Sequence, residues 1–154
     1  MKSLLVLLFT GISTMSWAAA PEGWHALAGE WKTDGNVVTG TATEGDAWIE
    51  SDAFYNDFIV ELDFKTPVAS NGGVQIRSHW LPEEEAPDTK IMYGYQVNID
   101  TSVKGSTGSI IDKNGRGALT KASPDIAKIL KPTEWNSLRI EGRAGTISAW
   151  VNGV

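Results

Sequence analysis

The chain contains no cysteine. Disulfide staples, thiolate nucleophiles, Cys-ligated zinc and iron–sulfur clusters are therefore excluded together. Histidine is nearly absent too: His25 and His79 are the only two and stand far apart, which argues against a His-rich metal site while leaving open one His beside Asp or Glu ligands. Basic charge is in deficit, with 13 Lys and Arg against 19 Asp and Glu and a formal charge of -6. No window gathers a basic run, so nucleic acid is not an expected partner. Also missing are the Gly-x-Ser-x-Gly elbow, the phosphate-binding Walker loop, the Gly-x-Gly-x-x-Gly fingerprint and the His-Glu-x-x-His zinc helix. No repeat of 20 to 50 residues is visible, which removes propellers and solenoids.

What is present is one domain's worth of chain, 154 residues with 42% hydrophobic composition, enough to bury a core. The first twenty residues read differently from the rest. Lys2 precedes an apolar run from Leu4 to Ile12, and small residues follow up to Ala20; this is the pattern of a secretory signal peptide, too short for a membrane anchor. Cleavage after Ala18 avoids placing Pro21 just past the scissile bond, as cleavage after Ala20 would. The segment from 21 to 154 is then the mature domain, expected outside the cell or in the periplasm. At the other end, Ile147 to Val151 reads as a strand, and Asn152-Gly153 is a strong hairpin signal. Only Val154 follows it, so the expectation is a domain that is C-terminally incomplete.

Between the ends, apolar and polar residues alternate and turn dipeptides punctuate the chain: Asp34-Gly35, Asn71-Gly72-Gly73, Asn114-Gly115 and Ala144-Gly145. The pattern predicts an all-β fold with strands at Glu30–Thr33, Val37–Thr41, Ala47–Ser51, Phe58–Lys65, Gly73–His79, Gly94–Asp100, Ser109–Asp112, Ser137–Arg143 and Ile147–Val151. Many short strands with regular turns favour a β-sandwich or jelly roll. Pro124 to Leu130, with Ser123 as N-cap, is the one helical stretch. Glu83-Glu84-Glu85-Ala86-Pro87 reads as a solvated acidic loop, and Asp112 to Arg116 as a turn, since Arg116 stands where a calcium loop needs a ligand.

Alternation also assigns faces. Glu61 and Asp63 oppose Phe58, Val60, Leu62 and Phe64. Gln75, Arg77 and His79 oppose Val74 and Ile76, while Gln96, Asn98 and Asp100 oppose Tyr95, Val97 and Ile99. Amide, guanidinium, imidazole and carboxylate groups of this kind suit sugar hydroxyls. If the three strands are neighbours, their polar faces form one platform; the plain alternative is a solvated sheet face. Glu61 and Asp63 are about 6.6 Å apart, a spacing that an acid–base pair of a glycosidase tolerates. Trp80, beside the polar face and a loop, is the indole offered as a sugar platform.

Asp57–Lys65, Asn71–Ser78, Gly94–Asp100, Thr107–Asp112, Glu134–Ser137 and Val151-Asn152-Gly153, in this order, resemble the secreted 3-keto-disaccharide hydrolases, a family built on a concanavalin A-like jelly roll. The resemblance implies a glycoside substrate already oxidised to a ketone at C3, hence an upstream oxidoreductase that makes it. A 3-keto group acidifies C2–H, so a modest base and one electrophile suffice for elimination of the C1 aglycone, followed by hydration. On that reading Asp63 or His79 is the base, with Glu61 the alternative, and Arg77 stabilises the enediolate. Asn71, Gln75, Trp80, Gln96, Asn98 and Asp100 hold the carbohydrate, and the last three of the polar row are also where a divalent metal would bind. A non-catalytic carbohydrate-binding module on the same fold is the competing expectation.

Overall fold

The structure is a computed structural model that describes residues 4–8, 20–43, 45–67, 69–81, 92–102 and 105–154. Among these, the strands are β1 (Leu4–Leu8), β2 (Trp24–Ala28), β3 (Glu30–Asp34), β4 (Val37–Thr41), β5 (Trp48–Ser51), β6 (Phe58–Lys65), β7 (Asn71–Trp80), β8 (Met92–Asp100), β9 (Ile110–Lys113), β10 (Gly117–Thr120), β11 (Asn136–Arg143) and β12 (Thr146–Val151). A single helical turn, α1, covers Ile126–Ile129. They form a six-stranded sheet in the order β12-β11-β6-β1-β4-β3, a four-stranded sheet β10-β9-β8-β7, and a two-stranded ribbon of β2 and β5. All pairings are antiparallel, so the all-β sandwich expectation holds.

Each sheet turns its apolar face inward. Leu62 and Phe64 of β6, Leu138 and Ile140 of β11, Val38 of β4 and Val151 of β12 meet Ile76 of β7, Val97 and Ile99 of β8, Ile110 of β9 and Ile126 of α1 in one core. Burying each such side chain contributes about 1.5–3 kcal/mol, so these alternating residues are what hold the two sheets together. Two glycines let aromatic rings lie flat within the six-stranded sheet. A Cβ on Gly142 would stand 2.5 Å from the Phe58 ring, and one on Gly40 would stand 2.6 Å from Trp31.

The turn signals act as expected. Ala144 and Gly145 both have positive φ, as do Asn152 and Gly153, the backbone that a tight two-residue hairpin turn requires. Val151 and Val154 exchange backbone hydrogen bonds at 2.9 and 3.1 Å across the second of these. Asn152 does more than turn: its Oδ1 accepts from the Ser137 amide at 2.9 Å, and its Nδ2 donates to Ile129 and Asn136.

Several elements differ from the strand and helix bounds that the pattern predicts. The apolar stretch at Leu4–Leu8 forms a strand that pairs with β4 over five positions and with β6 over three. The helix begins later than Pro124, because Ser123 instead accepts the Asp125 amide in a local turn at 3.3 Å. Strands β2 and β10 had no alternating signal. The acidic loop at Glu83 to Pro87 lies outside the described residues.

Candidate functional site

The expected three-strand platform divides in two. β7 and β8 are neighbours, with Asn71 opposite Asp100, Gly73 opposite Asn98 and Gln75 opposite Gln96. Five expected ligand groups therefore share one face, and Lys113 joins them, since β9 pairs Ile111 with Gln96 and Lys113 with Gly94. Strand β6 belongs to the other sheet. Glu61 and Asp63 are thus removed from this face: period two fixes a face but not a sheet.

A β-bulge redistributes the far end of β7. Ile76 pairs with Tyr95, yet His79 pairs with Tyr93, so Arg77 and Ser78 together oppose Gly94. Arg77 has φ 52, an uncommon backbone for a non-glycine residue and typical of bulges that re-aim side chains. A Cβ on Gly94 would come within 3.0 Å of Ser78 and of the Ile76 carbonyl, which is why glycine stands opposite the extra residue. The consequence is that His79 lies on the Tyr93 side, where its ring stacks at 5.7 Å centroid separation. The expectation that His79 shares a face with Gln75 is overturned, and Glu61, Asp63, Arg77 and His79 do not form one constellation.

The polar row itself is mostly engaged. Gln96, Asn98 and Asp100 are only 5%, 3% and 4% exposed. Asp100 Oδ1 accepts from both the amide and the hydroxyl of Ser102, and Asn98 Nδ2 donates to Ser106 Oγ at 3.2 Å. Gln75 donates to the Tyr93 carbonyl at 3.2 Å, beside the bulge. These three support the loop and the bulge rather than facing a ligand.

At the end of the row lies a cavity of about 310 Å³. Asn71, Gly72, Gly73 and Gln96 line it from the four-stranded sheet, Lys113 from β9, Asp46 and Trp48 from the approach to β5, and Thr66 and Ser70 from the β6–β7 connection. That connection is fixed by Thr101, whose hydroxyl donates to the Pro67 and Ser70 carbonyls and accepts the Ser70 amide. Among the described residues, neither Asp46 nor Lys113 makes an ion pair. A carboxylate, an ammonium, an indole and two amides thus line one cavity.

The carboxylates on β6 occupy a different place, a shallow groove of about 550 Å³ on the six-stranded sheet with Ser137, Arg139 and Trp150. Register explains the arrangement: Asp63 faces Ser137, Glu61 faces Arg139, and Arg139 faces Trp150. Arg139 donates to Glu61 Oε1 at 2.7 Å and to Glu141 Oε2 at 3.1 Å, and its guanidinium lies 5.6 Å from the Trp150 ring centroid. Trp80 is exposed and lines neither space; the indoles that do are Trp48 and Trp150. At the turn after β9, Arg116 Nε donates to Asp112 at 2.6 Å and holds that carboxyl below its ordinary value. Among the described residues no three His, Asp or Glu side chains converge as metal ligands.

Sequence reasoning missed Asp46, Trp48 and Lys113 because they come from two segments distant in sequence, the approach to β5 and the end of β9. A family model described as a 3-keto-alpha-glucoside-1,2-lyase-like domain matches residues 8–154. The chain belongs to this family. No curated protein matches it. Asp46 and Lys113 thus line one cavity and make no ion pair with any described residue.

Proposed function

We propose that this protein cleaves 3-keto-glycosides in the cavity lined by Asp46, Trp48, Gln96 and Lys113. What carries the reading is that Asp46 and Lys113 line one cavity and make no ion pair with any described residue, within a chain of a family whose name denotes elimination across C1 and C2 of a 3-keto-glucoside. A sugar ring stacks on Trp48, and Asn71 and Gln96 engage its hydroxyls. Asp46 removes the C2 proton. The electron pair released builds negative charge on the C3 oxygen, which the Lys113 ammonium stabilises. Collapse of that enediolate forms a C1–C2 double bond and breaks the C1–O bond, and the departing oxygen takes a proton. Water then adds across the double bond to give the free 3-keto sugar. The steps need one base and one electrophile, which matches a site with no strong nucleophile.

The Lys2 to Ala20 stretch is proposed as a leader that directs the chain out of the cytoplasm. The substrate's ketone requires an oxidoreductase acting earlier on an ordinary glycoside. The test is to incubate the purified protein with a 3-keto-glucoside and with its unoxidised parent, with and without chelator, and follow aglycone release. Release from the keto form alone, lost in Asp46→Asn, is the expected result; chelator sensitivity would add a metal to the scheme. Tight binding of both glycosides without release would replace catalysis by a carbohydrate-binding module.

A further inference from the structure

Gln96 is 5% exposed, yet it lines the cavity. Its amide nitrogen donates to the Gly72 carbonyl at 3.2 Å and to Asn98 Oδ1 at 2.8 Å. A backbone carbonyl only accepts, so the group facing Gly72 must be the NH₂. The amide cannot be flipped without placing two acceptors against each other. Asn98 is oriented in turn by donating to Ser106. Gly73 makes this arrangement sterically available, since a Cβ there would come within 2.9 Å of Gln96 Cγ.

Both amide hydrogens are therefore used, and Oε1 is left over. It accepts no hydrogen bond from a described residue, and it is not sealed off either: among the described residues, the one enclosed side-chain atom without a partner is Glu50 Oε2. The open space beside Gln96 is the cavity. Lys113, which has donors and no acceptor, also lines it.

We infer that Gln96 is a specificity-determining residue, locked as a pure hydrogen-bond acceptor, so that the cavity binds a sugar in one direction, with a hydroxyl donor at Gln96 and the ketone at Lys113. Asn98 is a positioning residue that acts through Gln96. The inference rests on the proposed reading of the cavity as a sugar site and adds its polarity. A ketone or ether oxygen cannot donate and is refused at Gln96, because an acceptor would then face an acceptor in a buried place.

The test uses the full chain and a ligand series: methyl 3-keto-glucoside and its 4-deoxy, 4-fluoro, 6-deoxy and 6-fluoro analogues, read by calorimetric binding and by kcat/KM. Fluorine accepts weakly and donates nothing. At the position that meets Gln96, the deoxy and fluoro analogues should both bind about tenfold more weakly than the parent. In Gln96→Met that penalty should vanish while the penalty at the other position stays. If Gln96→Met does not fold, the wild-type series decides alone. Retention by the fluoro analogue where the deoxy analogue fails would mean that the site donates there, and would overturn the inference. A flat series would also overturn it while leaving the reaction intact. Binding with the expected series but no aglycone release would sink the reaction and keep Gln96 as the acceptor. No binding of the parent would sink both.

Discussion

The two polar regions of this protein contain nearly the same ingredients and put them to opposite use. The groove on the six-stranded sheet holds Glu61, Asp63, Arg139 and Trp150, and the cavity holds Asp46, Lys113 and Trp48. In the groove Glu61 and Arg139 stand opposite each other on β6 and β11, so antiparallel register itself pairs them, while Asp63 faces Ser137. In the cavity the charges arrive from different segments and make no ion pair with any described residue. The comparison teaches that residue type and nearness do not make a reactive site. A charge already neutralised by a neighbour has little left to offer a transition state, whereas an unpaired one does.

The sharpest way to break this contrast is to remove the cavity's proposed base. Asp46→Asn should lower kcat at least about 100-fold, as expected for loss of a general base, with an unchanged circular-dichroism spectrum; near-normal turnover would move the chemistry elsewhere. Lys113→Met should cost about 100-fold in kcat through loss of oxyanion stabilisation, and a change confined to KM would make Lys113 a binding residue only. In the groove the effect should be on stability. Arg139→Ala should leave turnover within about twofold and lower unfolding free energy by about 1 kcal/mol, the scale of partly exposed ion pairs and cation–aromatic contacts, as read by urea denaturation. Loss of activity with unchanged stability would reverse the roles of the two regions.

The smallest effect concerns Asp112. Arg116 holds its carboxyl below the ordinary value of 3.8, so the pair's stabilisation is present above that pH and fades as the pH falls through the lowered value. Solvent screening keeps it small. In Arg116→Ala the Asp112 carboxyl should titrate at higher pH by NMR, and an unmoved titration would assign the shift to another group.

The sequence announced the sandwich well, because a strand with one buried face writes that face into every second residue. Val37–Thr41 and Phe58–Lys65 have the bounds that alternation predicts. It failed where alternation carries no information. Trp24–Ala28 is mostly exposed and pairs only within a ribbon, so nothing in it had to alternate. His79 changed face because of one extra residue at Arg77, and the only hint was Gly94, a glycine inside a strand. Asn71 and Gln96 were legible as ligand groups from residue chemistry and face. Asp46 and Lys113 were not, since their role depends on two distant segments meeting, which is a property of topology.

Leu4–Leu8 has a consequence of another kind. As β1 it is the keystone of its sheet, joining β12-β11-β6 to β4-β3, and the same residues form the apolar heart of the proposed leader. One molecule cannot both surrender that segment and keep it. Excision would leave the edges of β6 and β4 facing each other across two strand spacings, about 9–10 Å, each with a row of unpaired backbone groups. Export would then couple maturation to closure: the processed molecule must bring those edges together or admit another extended segment between them, and its folding is finished only when that berth is filled.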